Sequence, residues 1–169
     1  MRIVGLSMFL VAGAAATASA QRMTREGVFH DATGKEVGRV VVRESGGAVR
    51  IQATVNDLPP GTHGIHIHEA GRCEAPGFES AGGHLNPHNR EHGRKNRRGY
   101  HLGDLGNIRV ASNGRGSRVV TVNDAETRRG LANFLAAGRA IVIHADPDDE
   151  MTDPAGNSGA RIACAVVTF

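Results

Sequence analysis

The sequence predicts an all-β fold, an antiparallel sandwich or barrel. Three features carry that expectation. About eight short segments read as strands, bounded by turn residues. Two long stretches, Gly71 to Gly103 and Asp146 to Gly159, have no period and are rich in Gly, Pro, Asn and charge. Helical spacing is confined to a single segment near the third quarter of the chain.

The chain has 169 residues, so one domain is expected. Met1 to Ala20 reads as a secretory signal. Arg2 gives a positive start, Ile3 to Ala16 is apolar and small, and Ala18-Ser19-Ala20 is a cleavage pattern. The other reading is an uncleaved anchor, against which the weak hydrophobicity of Gly and Ala argues. Cleavage leaves 21–169 as the expected mature domain. Gly27 to His30 is a short strand, Asp31 to Gly34 a turn, and Val37 to Arg43 a β-branched strand. Ser45-Gly46-Gly47 turns the chain. Val49, Ile51, Ala53 and Val55 then alternate with polar residues, the mark of a strand with one buried face. Leu58-Pro59-Pro60-Gly61 ends it.

Next comes Thr62-His63-Gly64-Ile65-His66-Ile67-His68-Glu69. A strand repeats every two residues, so His66 and His68 share one face while Ile65 and Ile67 take the other. His63 has the parity of the isoleucines and reads as a buried, hydrogen-bonded histidine. A His-rich solvent edge is the bland alternative. Downstream, however, stand His84, His92, His101, Asp104 and His144. Nitrogen and carboxylate donors in that number suit zinc and copper.

The long stretch from Gly71 to Gly103 contains three of those histidines, so a metal would supply the order that packing does not. Leu105 to Val110 resumes as a strand, Asn113-Gly114 is a hairpin turn, and Arg118 to Val122 answers it. Ala125 to Ala137 has a short helix's spacing, with Leu131, Phe134 and Leu135 on one face. Arg139 to His144 is an apolar strand, and Arg161 to Phe169 closes the chain.

Of 20 Lys and Arg, Arg2 leaves with the signal, against 17 Asp and Glu. The mature chain is nearly neutral, and its 4% aromatic content offers no stacking platform for single strands. Nucleic acid is therefore not an expected partner. The one basic run, Arg94, Lys95, Arg97 and Arg98, reads first as a solvated loop. Cys73 and Cys164 both follow the signal, and in an oxidising compartment they most simply form one disulfide. The alternative is two unrelated buried thiols.

Six blocks, in this order, resemble copper/zinc superoxide dismutase. They are Gly64-Ile65-His66-Ile67-His68-Glu69, Ser80-Ala81-Gly82-Gly83-His84-Leu85-Asn86-Pro87, His92-Gly93, His101-Leu102-Gly103-Asp104-Leu105-Gly106-Asn107, Ile143-His144, and Gly156-Asn157-Ser158-Gly159-Ala160-Arg161-Ile162-Ala163-Cys164. The resemblance covers nearly all of the expected mature chain. It implies an eight-stranded antiparallel Greek-key fold with two long functional loops. It implies copper on His66, His68, His84 and His144, and zinc on His84, His92, His101 and Asp104, with His84 shared. It makes Asp148 the carboxylate linking a copper histidine to a zinc histidine, and Arg161 the docking group for superoxide. A Cys73–Cys164 bridge would tie the first long loop to the last strand. His30 and His88 match no ligand position.

One departure stands out. Relatives in the eukaryotic branch carry a lysine in the second loop that draws in the anion. Asp153-Pro154-Ala155 holds none here, so Arg94, Lys95, Arg97 and Arg98 are expected to provide the steering field. The short run from Cys73 to Ser80 looks like the bacterial branch. The expected location is periplasmic or secreted, with no membrane contact after cleavage, as a monomer or homodimer. The rival functions are a non-enzymatic metal store on the same fold and a polyanion binder using the basic loop.

Overall fold

Alternation along 48–55 becomes one stave of a closed barrel. The computed structural model describes residues 23–45, 48–122 and 137–168. The expected signal, 1–20, lies outside them. So do Gly46 and Gly47 of the expected turn, and the expected helix apart from Ala137. The described strands are β1 (Met23–Asp31), β2 (Glu36–Ser45), β3 (Ala48–Val55), β4 (Gly61–Ile67), β5 (Asp104–Val110), β6 (Gly116–Val122), β7 (Arg139–His144) and β8 (Arg161–Val167).

Their order around the barrel is β1-β2-β3-β6-β5-β4-β7-β8. Every neighbouring pair is antiparallel. The ring closes where His30 and Asp31 of β1 meet Cys164 and Ala163 of β8. β3 and β4 are consecutive in sequence but separated by β6 and β5, so the chain crosses the barrel end at Leu58-Pro59-Pro60. This is the Greek key the resemblance implies. Among the described strands the ring is held together at two places by short contacts, two residue pairs between β1 and β8 and two between β5 and β6.

Phe29, Val40, Val49, Ile51, Ile65, Ile67, Ile108, Ile141 and Ile143 fill the interior. Burying an aliphatic side chain of this size contributes about 1.5–3 kcal/mol. β7 is apolar on both faces because both are covered. Ile141 and Ile143 point into the barrel. Ala140 and Val142 pack outside it, against Phe78, Ala81 and Cys164. The long loop from residue 71 thus lies on the outer surface of β7 and β8. It contains one turn of 3-10 helix, Glu79–Ala81, and is pinned by a Cys73–Cys164 disulfide.

β1 starts at Met23, earlier than the expected Gly27, because Met23 to Gly27 pair residue by residue with Glu44 to Val40 of β2. Thr24 and Arg25 carry no apolar alternation, so pairing and not burial makes that end a strand.

Candidate metal centre

Three cross-strand juxtapositions build the site. His66 lies opposite Asp104 across β4 and β5, beside an irregularity in the ladder. His68 bridges to His84 just beyond β4. His144 lies opposite Arg161 across β7 and β8, again at a bulge. Bulges of this kind redirect side chains beside functional sites. Parity puts His66 and His144 on the outer face, under the two loops, while His63 turns inward. His63 is buried. Its Nδ1 lies 2.9 Å from the carbonyls of His144 and Ala145, and its Nε2 lies 2.9 Å from that of Pro59. It is a satisfied histidine, as its parity predicts.

A closed ring of backbone bonds holds the loop segments in place. Leu85 N–H donates to Ile67 O, Ile67 N–H to Gly103 O, and Gly103 N–H to Leu85 O, all at 2.8–2.9 Å. A Cβ at residue 103 would collide with Ile67 O and sit 3.0 Å from Leu85 N, so only glycine lets the three segments meet. Their meeting sets His84 and His101 beside β4.

Two clusters result, both buried. One is His66, His68, His84 and His144; the other is His84, His92, His101 and Asp104. Within each, the candidate ligand atoms lie within 4.8 Å of one another. All seven predicted ligands are brought together, and His84 belongs to both sets.

The hydrogen bonds decide which nitrogen of each ring faces inward. His68 Nδ1–H donates to Gly82 O (2.9 Å) and His144 Nδ1–H to Gly159 O (3.2 Å). His66 Nε2–H donates to Asp148 Oδ2 and His92 Nε2–H to Asp148 Oδ1, each at 2.9 Å. What remains is a set of buried nitrogens with no hydrogen-bond partner: His66 Nδ1, His68 Nε2, His84 Nε2, His144 Nε2, His92 Nδ1 and His101 Nδ1. An orphaned buried nitrogen is costly unless something accepts its lone pair. Four of these converge in the first cluster. In the second, Asp104 Oδ1 stands 3.3, 3.1 and 3.3 Å from Nδ1 of His84, His92 and His101. A tetrahedron with ~2.0 Å bonds has edges of about 3.3 Å, so the second cluster fits zinc. The first, all imidazole, fits copper.

Protonation supports the fit. Burial pushes the His68 imidazole down to about 2 and that of His144 to about 3. His84 falls to about 4, again by burial, with Asp104 pulling it partly back. Neutral rings keep their lone pairs for a metal. Burial would raise Asp104, but His101, His84, His92 and the Gly93 N–H hold it well below the usual carboxylate range. His92 is the exception. Burial lowers it, yet the carboxylates of Asp104 and Asp148 outweigh burial and hold it up at about 9.

Asp148 spans the two clusters, one oxygen to each. A third grouping of His66, His92 and Asp148 exists, but its facing nitrogens already donate to the carboxylate, so it is a bracket. Asn107 fixes the bracket: its side chain accepts from Asp148 N–H (2.8 Å) and donates to Asp148 O (2.9 Å). Asp153 accepts from His92 N–H at 2.5 Å. Gly156 faces Asp148 Oδ1, where a Cβ would clash with that oxygen and with His92 Nε2. Sequence reasoning assigned no role to Asn107 or Asp153. Asn107 stood within a matched block, which was the available signal.

Arg161 is half-buried, its Nη1–H on Phe78 O (2.6 Å) and Nη2–H on Gly82 O (2.7 Å). Gly82 O also accepts from His68, so guanidinium and histidine share one anchor. Burial lowers the Arg161 pKa, and Glu79 counters it. The basic run is dispersed. Lys95 Nζ–H donates to Asp149 O, Arg98 pairs with Glu91, Arg94 lies with Arg118 and Glu150 around Gly106, and Arg97 faces a separate cavity. His88 lines that same cavity and His30 is exposed on β1; neither joins the clusters.

The sequence model of a family described as copper/zinc superoxide dismutase matches residues 36–167. "Superoxide dismutase [Cu-Zn] 1" of Aquifex aeolicus is 42% identical over 138 residues, covering 79% of this chain and 81% of its own. "Extracellular superoxide dismutase [Cu-Zn]" of Haemonchus contortus is 40% identical over 139 residues, covering 79% of this chain and 74% of its own. Among solved structures, a doubly substituted SOD-like protein from Bacillus subtilis superposes with a TM-score of 0.74 at 41% identity, covering 85% of this chain and 97% of that one. The Cu/Zn superoxide dismutase of Brucella abortus gives 0.69 at 31%, covering 85% and 99%.

Proposed function

The chain belongs to the copper/zinc superoxide dismutase family, and we propose the following division of labour among its residues. Its function is the dismutation of superoxide to oxygen and hydrogen peroxide, with copper and zinc as cofactors. The single observation that carries the assignment is the pair of buried clusters sharing His84.

His66, His68, His84 and His144 would hold copper; His84, His92, His101 and Asp104 would hold zinc. Copper when bound supplies a one-electron couple, by which one superoxide leaves as oxygen and the next, with two protons, leaves as hydrogen peroxide; zinc is redox-silent. His84 presents Nε2 to the first cluster and Nδ1 to Asp104. Its Nε2, when not engaged by copper, would supply one of the two protons that the reduced substrate takes, and water the other. Asp148 fixes the tautomers of His66 and His92 by accepting from both Nε2–H groups, the usual task of a carboxylate behind metal-bound histidines. Arg161 docks the anion. Two of its five N–H groups are spent on Phe78 O and Gly82 O, which hold the fork beside His68 and His144 and leave donors for a diatomic anion.

Steering comes from the basic run. Neutralising Arg94, Lys95, Arg97 and Arg98 together lowers kcat/KM at low salt and flattens its salt dependence; an unchanged salt profile removes this role.

Residues 1–20 act as an export signal and 21–169 as the working domain. The protein is secreted or periplasmic, which a disulfide and an extracellular relative support. Among the described residues no helix is long and apolar enough to cross a membrane. In solution it is a monomer or a homodimer.

Metal analysis tests the assignment. The purified chain binds one copper and one zinc, and His84→Ala loosens both while His144→Ala loosens copper alone. Equal retention of both metals in His84→Ala would end the shared-ligand reading. The rival metal store predicts the same stoichiometry without superoxide consumption.

A further inference from the structure

Two arginines of the basic run, Arg97 and Arg98, line a cavity apart from the metal centre. His88, Arg90, Arg97, Arg98, Tyr100 and Leu102 line a cavity of about 380 Å³ on the loop that carries His92 and His101. None of the seven metal ligands lines it, and neither does Asp148 or Arg161. No carboxylate lines it either.

The loop organises these cations. Asn86 holds the Arg90 main chain from both sides: its side chain accepts from Arg90 N–H (2.9 Å) and donates to Arg90 O (2.8 Å). The Arg90 guanidinium donates from Nη1 to Arg98 O (3.1 Å) and lies on Gly99. A Cβ at residue 99, where φ is +98°, would meet Arg90 Cδ, Nε and Cζ at 3.2, 3.4 and 3.6 Å. Asn96 accepts from Arg98 N–H at 3.1 Å. Arg98 is paired with Glu91. Among the described residues, Arg97 and His88 have no hydrogen bond or ion pair.

Two guanidinium charges, Arg90 and Arg97, therefore face one concavity without a counter-charge. A phosphomonoester carries about two negative charges at neutral pH, matching two guanidiniums that have no carboxylate partner among the described residues. Its terminal oxygens match the bidentate fork of arginine, as a carboxylate's do, and it brings more charge than a single carboxylate. Tyr100 and Leu102 give the organic part of the ester an apolar wall. The volume is at the small end of ligand pockets, enough for one phosphoryl group and a short body. A nucleic-acid strand would need a longer basic track and stacking faces, which this loop lacks. We infer that the cavity bounded by His88, Arg90, Arg97, Arg98, Tyr100 and Leu102 binds a phosphomonoester, either a free small ester or a lipid headgroup.

The test uses the metal-loaded full chain, read by calorimetric titration. One arm uses glycerol 1-phosphate. The other uses phosphatidylcholine vesicles with and without phosphatidic acid, read by co-sedimentation. Saturable one-site binding, weakened at least tenfold in Arg97→Gln and partly restored in Arg97→Lys, is the expected result. Arg50→Gln, which removes an equal charge from an exposed strand position, binds like the parent. Binding of glycerol 1-phosphate assigns a free ester; binding of phosphatidic acid vesicles alone assigns a headgroup. Absence of saturable binding in both arms overturns the proposal. So does an unchanged affinity in Arg97→Gln, or equally tight binding of acetate. Metal content and melting temperature, measured alongside, show that Arg97→Gln is folded. A phosphate-binding failure leaves the dismutase assignment untouched, since it is read without turnover.

Discussion

His63 and His66 sit three residues apart on β4 and do opposite things. Strand parity alone separates them: His63 shares the isoleucine face and bonds to carbonyls, while His66 turns out toward three other imidazoles. Arg161 is the residue whose role is most exposed to test. Arg161→Ala keeps both metals, because no metal-facing atom is lost, and lowers kcat/KM on the order of tenfold by removing the proposed dock for the anion. Steady-state superoxide kinetics with metal analysis check this; an intact rate denies Arg161 the role. Asn107 acts one step further back. It clamps the Asp148 backbone, and Asp148 orients His92. Asn107→Ala lowers zinc affinity by about tenfold or more, read by competition with a chelator. His92 yields a pH prediction. Its metal-free pKa, held up at about 9, means it is protonated at pH 7. Zinc needs the neutral ring, so zinc uptake at pH 7 releases about one proton, and apparent affinity rises as pH climbs toward 9. Calorimetry in buffers of differing ionisation enthalpy measures this; uptake without proton release contradicts it.

At the scale of elements, the barrel supplies positions and the loops supply contents. β4, β5 and β7 carry His66, Asp104 and His144, while the loops carry His84, His92, His101 and Asp148. The long loop has one turn of 3-10 helix, a small apolar anchor at Phe78 and Ala81, a disulfide and a ring of backbone bonds, and its metal-facing residues are expected to supply the rest of its order. Asp104→Ala weakens zinc, opens 71–103 to limited proteolysis and lowers the melting temperature of the metal-loaded protein. Unchanged proteolysis would show that packing orders the loop without zinc. The strands were legible where alternation is strong, as at Val49 to Val55, and where an apolar run is bounded by turns, as at β7. β1 was read short because Met23 to Glu26 gain their structure by pairing with β2, which composition does not reveal. The ligands were legible because their residue types are rare and their blocks match a family. Asn107 and Asp153 were not, because an amide or carboxylate that braces a loop looks like any other polar residue until its partner, 41 or 61 positions away, is known.

At the scale of the molecule, a closed barrel gives a stiff frame and the disulfide ties the metal loop to it. Cys73 and Cys164 are 91 positions apart, so the bridge closes a long loop in the unfolded chain. The Cys73→Ser/Cys164→Ser double variant loses about 4.6 kcal/mol of stability to denaturant on the chain-entropy relation. It also frees the segment whose carbonyls, Phe78 O and Gly82 O, hold Arg161, so kcat/KM falls with it. Equilibrium unfolding and kinetics on the same sample check both. A variant with undiminished stability and rate would mean that Phe78, Ala81 and their neighbours hold the loop alone. One imidazole, His84, joins the cluster proposed for copper to the one proposed for zinc. The most direct test of that pairing is superoxide consumption by the purified chain carrying one copper and one zinc. The predicted result is rapid consumption with oxygen and hydrogen peroxide formed in equal amounts, lost when copper is withdrawn. Metal-loaded protein that consumes superoxide no faster than its copper-free form would contradict it.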